Sequence, residues 1–419
     1  MLPPTQAEQL ILNLVQLPTL QDTETVNLMG ALGRILAAPV TSQLDFPHWD
    51  NSAMDGYAVR LADVETASVE TPVTLNIVEE IPAGTQPQKV LTTGQAARIF
   101  TGAIVPAGAD AIVMQENTQR EGDRVLILVA PQPHQFIRQQ GAYYKAGAPL
   151  LQAGCKLGAA EIAILAAAQC AQVPVFRRPR VAILSTGDEL VSLDRPLQPG
   201  QIVDSNRYAL IALTLQAGCE PISLGIVPDQ PEALKHAIAQ ASATADVVLS
   251  SGGVSVGDYD YVDQVLADLG ATVHLRSVAV KPGKPLTVAT FELEVDDRGQ
   301  AAERKIYFGL PGNPVSALVT FWRFVQPTLQ KRSGITAPWQ PKYVTAHTRQ
   351  ALKSDGKRES YVWGRLEWVE GRYEFEAATG SQLSGNLINL AGTNGLAVVP
   401  LGDPTIAPGQ PVRILQMEP

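Results

Sequence analysis

From Arg180 onward, apolar β-type runs alternate with amphipathic helical runs, and this alternation limits the fold more than any other feature of the chain. RVAILS is followed by NRYALIALTLQAG, PISLGIV by PEALKHAIAQAS, and ADVVLSS by DYVDQVLADLG, before a further run TVHLRSVAV. LTVATFELEV and RKIYFGL read as strands around a polar turn, and PVSALVTFWRFVQPTLQK as a closing helix. Such βαβ alternation predicts a doubly wound, mostly parallel sheet with helices on both faces, over residues 178–330.

In open sheets of this kind, ligands bind beyond the carboxyl ends of the strands. The unusual residues fall at those ends: TGDE after RVAILS, Pro-Asp after PISLGIV, GGVSVGDYD after ADVVLSS, KPGKP after SVAV, and PGNPVS after RKIYFGL. Core packing requires none of them. In SSGGVSVGD, Gly252, Gly253 and Gly257 let the backbone approach a ligand. Its amides, with the hydroxyls of Ser251 and Ser255, form a candidate phosphate cradle; the alternative is a tight turn. Lys281 and Lys284 in KPGKP are compact point charges that suit an oxyanion, or else a solvated pair. In LPGNPVSAL, Pro311 and Gly312 lead to Asn313, a candidate helix cap, and to Pro314 in the first turn.

Asp188, Glu189, Asp204, Asp229, Asp258 and Asp260 also lie at strand ends or in the loops that follow. Singly, each is explained by capping or solvation. As a group near a phosphate they would repel it without a cation between them, and magnesium is the oxygen-seeking ion that suits such company.

The remainder is organised around this domain. Residues 5–38 read as helical, in TQAEQLILNLV and again in TVNLMGALGRILA. From Pro39 the texture changes, and TPVTLNIVEEIPAG, AARIFTG, DAIVMQE and RVLILVA mark a β-rich inserted domain over residues 46–140. A helical AAEIAILAAAQC and an extended VPVFRRPR follow, so residues 1–45 with 141–177 are expected to form an elongated helical and extended linking domain. Residues 331–419 are β-type again, and a small C-terminal β-barrel is expected.

The net charge of −9 argues against broad nucleic-acid binding or docking on an anionic membrane, so an anionic ligand must be held by local cations and backbone amides. Cys155, Cys170 and Cys219 form no CxxC pair, and the histidines show no HExxH spacing, which argues against a zinc site. MLPPTQAEQLILNLVQL lacks the basic start and cleavage site of a signal peptide, and no apolar run reaches membrane-spanning length. A cytoplasmic protein is expected.

Taken together, DNSAMDGYAVR, RIFTGAIVPAGADAIVMQE, STGDEL, DSNRYAL, SSGGVSVGDYDYV, KPGKP and GLPGNPVSALVTF run in the order of one family over nearly the whole chain. The chain resembles the molybdopterin molybdenumtransferases, the bacterial MoeA proteins whose eukaryotic relatives include gephyrin. SSGGVSVG and PGNPVS alone would also fit the single-domain molybdopterin adenylyltransferases; DNSAMDGYA and RIFTGA distinguish the longer family.

The resemblance implies an elongated, four-part homodimer whose active cleft is shared between protomers. It implies a Mg2+-dependent reaction of adenylylated molybdopterin with molybdate, giving the molybdenum cofactor and AMP. By motif, Asp55 and Thr101 would be contributed from the partner's β-rich domain. Glu189, Asp229 and Asp260 would act in metal binding and in hydrolysis of the adenylyl linkage, and Lys281 and Lys284 would hold molybdate or the pterin phosphate. Arg358 falls at a family site arginine, and Ser381 and Ser384 near a site serine. Expected partners are the second copy and the molybdopterin adenylyltransferase or other cofactor-biosynthesis proteins, with no nucleic acid and no membrane.

Two departures stand out. Ala142 and Tyr143 replace the acidic pair of the family's IR-x-x-G-E-D pattern, and Asp258 and Tyr259 stand in the common G-E-A-D-Y form. Two other readings remain open: an adenylyltransferase, which would consume ATP with molybdopterin alone, or a non-catalytic scaffold of the gephyrin type. The chain lacks a long Pro/Ser-rich linker, and its charged loops are retained.

Overall fold

The computed structural model describes residues 1–253, 261–292 and 304–417. The chain forms two compact units, one of residues 39–152 with 163–171, the other of residues 1–38, 153–162 and 172–419.

The smaller unit is built on a six-stranded sheet of β1 (Gly56–Val59), β2 (Val73–Ile81), β3 (Gln95–Ile99), β4 (Ala111–Met114), β5 (Thr118–Glu121) and β6 (Arg124–Ile127), in the order β4-β1-β3-β2-β6-β5. Only β2 and β3 run parallel. Side chains alternate across a strand, so Tyr57, Val59, Ala111 and Val113 enter one apolar layer while Ala58, Ile112, Ala97 and Ile99 enter the other. Gly56 admits no side chain, since a Cβ there would lie 2.0 Å from the Val113 carbonyl oxygen.

The larger unit begins with α1 (Pro4–Leu14), which buries Ala7, Ile11 and Leu12. The second helix expected in TVNLMGALGRILA is not formed. Thr23–Asn27 is instead a strand, antiparallel to Gln172–Phe176, and Leu28–Ala31 is a single 3-10 turn. β-Branched Thr23, Thr25 and Val26 favour the strand. Asn27 then accepts the Gly30 N–H at 2.8 Å and starts the turn.

The α/β sheet follows, from β7 (Arg180–Thr186), β8 (Glu220–Val227), β9 (Val247–Ser251), β10 (Thr272–Ser277), β11 (Pro285–Glu292) and β12 (Arg304–Leu310), in the order β8-β7-β9-β12-β11-β10. β8, β7, β9 and β12 are parallel, and β11 and β10 extend the sheet antiparallel. Along β7, Val181 and Ile183 enter one core while Ala182 and Leu184 enter another. α2 (Ser205–Gln216) covers the first face with Leu210. α3 (Pro231–Thr244) and α4 (Tyr261–Asp268) cover the second with Leu234, Ile238, Val265 and Leu266. The closing helical stretch comprises α5 (Pro314–Thr320), a π turn over Phe321–Val325 and α6 (Gln326–Arg332). The wider turn directly precedes Pro327, whose ring cannot follow a regular α-helical carbonyl four residues back.

At the start of β9, Asp246 is 4% exposed and forms a buried ionic network. Arg177 donates to both its oxygens at 2.7 Å, Arg332 to Oδ1 at 2.9 Å, and the Arg180 N–H to Oδ2 at 2.7 Å. Burial alone would raise its pKa, but the Arg177 hydrogen bonds and the Arg332 charge hold the carboxyl far below the usual range.

The C-terminal part closes into a five-stranded barrel. β13 (Tyr343–Thr348), β14 (Glu359–Val369), β15 (Arg372–Ala377), β16 (Gly395–Val399) and β17 (Pro411–Gln416) pair around the ring β14-β15-β13-β17-β16 and back to β14. The expected doubly wound domain and small barrel are therefore present.

Candidate active site

The parallel strands end in one pocket of about 740 Å³. β7 runs into Thr186 and Gly187, β9 into Ser251, Gly252 and Gly253, and β12 into Pro311, Gly312 and Asn313. Gly252 has φ +93°, and a Cβ there would stand 2.2 Å from the Thr186 carbonyl oxygen, so only glycine lets β7 and the loop after β9 approach this closely. Asn206, on α2, ties the rim together by donating to the Ser251 hydroxyl at 2.7 Å and to the Gly312 carbonyl at 2.8 Å.

Glu189 and Asp229 both line this pocket. Thr186 donates its hydroxyl to Asp229 Oδ1 at 2.8 Å, and the Asp229 N–H donates to Asp188 Oδ1 at 3.3 Å. Asp204 contributes differently. It is buried at the start of α2, accepts the Ser185 hydroxyl at 2.8 Å and the Arg207 N–H at 3.2 Å, and pairs with the Arg207 guanidinium at 2.9 Å. It caps the helix and also lines the pocket. Among the described residues, no three His, Cys, Asp or Glu side chains converge as a metal-binding group. Two carboxylates do suit Mg2+, which binds through one or two carboxylates together with substrate phosphates. Ser255, Gly257, Asp258 and Asp260 lie outside the described residues.

A second pocket of about 400 Å³ shares Pro285, Asn313 and Ser316 with the first. It is cationic, lined by Lys281, Lys284, Lys353 and Arg358. Val280 and Lys281 pair in parallel with Glu359 and Ser360 at the start of β14, and this register brings the KPGKP loop beside Arg358. Asp355 stands between them: its Oδ2 lies 3.2 Å from Lys281 Nζ and 3.3 Å from Arg358 Nη2. The Lys357 N–H, with both cations beside it, brings the Asp355 carboxyl down to about 2.

Asn313 stands at the N-cap position of α5 without a side-chain capping bond, contrary to the expected cap. The Val315 N–H donates instead to the Ser384 carbonyl at 3.0 Å, and the Asn313 side chain lines both pockets. Ser384 lines the cationic pocket. Ser381 is not among its lining residues, and its carbonyl accepts from Asn386 and Asn389.

In the smaller unit, the antiparallel register of β1 and β3 sets Gly56 opposite Ile99, so the preceding Asp55 meets the loop carrying Thr101. Thr101 donates both its N–H and its hydroxyl to Asp55 Oδ1, each at 2.8 Å. These two bonds, and then the charge of Arg98, hold the exposed Asp55 carboxyl below its usual range. Thr186, Asn206, Lys353 and Asp355 were not singled out from the sequence. Thr186 and Asn206 did fall within the quoted motifs STGDEL and DSNRYAL.

Three family profiles match successive parts of the chain: the MoeA N-terminal region (domain I and II) over residues 2–168, a probable molybdopterin binding domain over 182–331, and the MoeA C-terminal region (domain IV) over 345–417. A molybdopterin molybdenumtransferase of Nostoc sp. is 61% identical over 97% of this chain and 92% of its own length. One from Haemophilus influenzae is 39% identical over 86% and 83%. The crystal structure of a molybdopterin biosynthesis moeA protein from Pyrococcus horikoshii superposes with a TM-score of 0.83 at 29% identity, covering 99% of this chain and 100% of the other. The overall fold thus recurs in a solved relative along the whole length, and the chain belongs to the molybdopterin molybdenumtransferase (MoeA) family.

Proposed function

We propose that the chain inserts molybdenum into adenylylated molybdopterin, taking molybdate as second substrate and releasing AMP. The observation that carries this reading is the pair of adjoining pockets: one lined by glycines, hydroxyls and carboxylates, the other by four cations. A phosphate-bearing ligand in the first pocket would lie beside an oxyanion in the second.

In the first pocket, backbone amides around Gly252, Gly253 and Gly312 and the Ser251 hydroxyl would take the substrate's phosphates. Glu189 and Asp229 would hold Mg2+, which supplies a positive centre against the phosphate oxygens. The Thr186 hydroxyl fixes the orientation of Asp229 toward that ligand. Ser255 and Asp260 are assigned to the same phosphate and metal set from the family motif. In the second pocket, Lys281, Lys284 and Arg358 would hold molybdate, with Asn313 at the boundary between the two ligands. Asp55, held ionised by Thr101, would come from a second copy in a homodimer and act on the adenylyl linkage. Molybdopterin adenylyltransferase, which would supply the adenylylated substrate, is the expected neighbour in the cytoplasm. Among the described residues, no helix is long and apolar enough to cross a membrane.

The test is AMP release from adenylylated molybdopterin with magnesium, with and without molybdate. Release that depends on molybdate is the expected result. ATP consumption with molybdopterin alone, and no AMP release from the adenylylated form, would replace this reading with adenylyl transfer.

A further inference from the structure

We infer that Asp355 is a positioning residue that gathers Lys281 and Arg358 into a two-pronged oxyanion clamp. The inference rests on the reading that the cationic pocket takes molybdate.

One carboxylate oxygen, Oδ2, contacts both cations, at 3.2 and 3.3 Å. Two like charges that share a pocket repel, and a lysine on an exposed loop samples many rotamers. A single acceptor between them removes both obstacles, provided the acceptor is itself fixed. Asp355 is fixed. Its Oδ1 accepts the Lys357 N–H at 3.0 Å, and Ser354 Oγ accepts the Gly356 N–H at 3.0 Å. The turn is anchored to the facing loop by the Ser354 N–H to the Pro404 carbonyl at 2.8 Å, and by the Gly402 N–H to the Gly356 carbonyl at 3.0 Å.

The clamp keeps donors to spare. Lysine offers three and arginine five, so each cation can hold Asp355 and still donate to a tetrahedral oxyanion. The carboxylate carries a negative charge close to where the anion would bind. In an exposed site that repulsion is screened, whereas the ordering of two long side chains is not.

These two effects predict opposite signs, which makes the inference testable. Molybdate is titrated calorimetrically into the full-length chain and into Asp355→Ala, Asp355→Asn, Asp355→Glu and Lys281→Ala variants. Positioning predicts binding about tenfold weaker in Asp355→Ala and Asp355→Asn, and recovery to within about threefold of the parent in Asp355→Glu. It also predicts that Asp355→Ala weakens binding less in a Lys281→Ala background than in the parent, because only Arg358 is then left to position, whereas a general structural role would cost the same in both. Unchanged or tighter binding in both Asp355→Ala and Asp355→Asn, with Lys281→Ala weakened, would overturn the inference and leave the pocket assignment standing. Unchanged binding in Lys281→Ala as well would overturn the pocket assignment and the inference with it.

Discussion

In Gly252→Ala, the new Cβ would lie 2.2 Å from the Thr186 carbonyl oxygen, where real Cβ atoms keep beyond 3.0 Å. The obstacle is backbone at the end of a buried parallel strand, so no side-chain rotation relieves it. The residue also sits at φ +93°, where any L side chain is strained. The strain costs about 1–3 kcal/mol and the forced separation a similar amount, roughly 2–6 kcal/mol together. For a unit of this size that lowers the melting transition by roughly 4–12 °C. Two comparisons separate the terms. Gly200 has φ +87° with nothing within 4 Å of its Cβ position, so Gly200→Ala should show the strain alone. Gly253→Ala would meet the Thr186 Oγ1 and Val262 Cγ2 side-chain atoms at 3.2 Å, which can give way, and should fall between. Because Thr186 also holds Asp229, displacement of its backbone should reduce AMP release by Gly252→Ala even at temperatures where the protein stays folded. The assay is differential scanning calorimetry beside AMP release at 25 °C. If Gly252→Ala melts no lower than Gly200→Ala, the close approach of β7 and the loop after β9 has been misjudged.

Other perturbations follow from the same geometry. Asp246→Ala removes the buried carboxylate that Arg177 and Arg332 share, leaving Asp22 as their remaining common acid, and should cost about 3–5 kcal/mol, measured by denaturant unfolding at pH 7. Since its folded pKa is depressed, Asp246 stabilises fully above the unfolded carboxyl value of about 3.9, and the contribution fades as pH falls toward the lower folded value. The gap in stability between parent and Asp246→Asn should therefore narrow in strong acid. Asp229→Ala should abolish AMP release while the melting temperature stays within about 2 °C, because its side chain lines a pocket rather than a core. Charge removal at Lys281 or Lys284 should raise the molybdate concentration needed for cofactor formation by about tenfold; an unchanged molybdate dependence in both would remove them from the oxyanion site. Thr101→Val removes one of the two hydrogen bonds on Asp55 Oδ1 and should raise the Asp55 pKa, read from its carboxyl resonance across a pH titration.

The sheet and its pocket were legible because both are local in sequence. Each strand announces itself by a short apolar run, and each loop that lines the pocket directly follows one. Gly252, Pro311 and Glu189 could therefore be placed without knowing which strands pair. Where partners are distant, the pattern misleads. Thr23–Asn27 and the turn after it carry apolar residues at helical spacing, yet Met29 and Leu32 are exposed, and the strand exists because Gln172–Phe176 lies alongside. Asp355 was missed for the same reason: its meaning depends on Lys281, brought to it by the pairing of Val280 with Glu359. Asp204 meets both of its readings: it lines the pocket with Glu189 and Asp229, and it caps α2 while pairing with Arg207 one turn later. Asp258 and Asp260 of the motif fall outside the described residues, so their division of labour is a matter for mutation.

The most direct measurement is reconstitution of an apo-molybdoenzyme by the purified chain supplied with adenylylated molybdopterin, magnesium and molybdate. If the adjoining pockets bring the two substrates together, activity should appear at micromolar molybdate together with AMP release. The Asp229→Ala and Lys281→Ala variants should each lose it under those conditions, and excess molybdate should restore only Lys281→Ala. Equal reconstitution by both variants at low molybdate would contradict the placement of the reaction in these pockets.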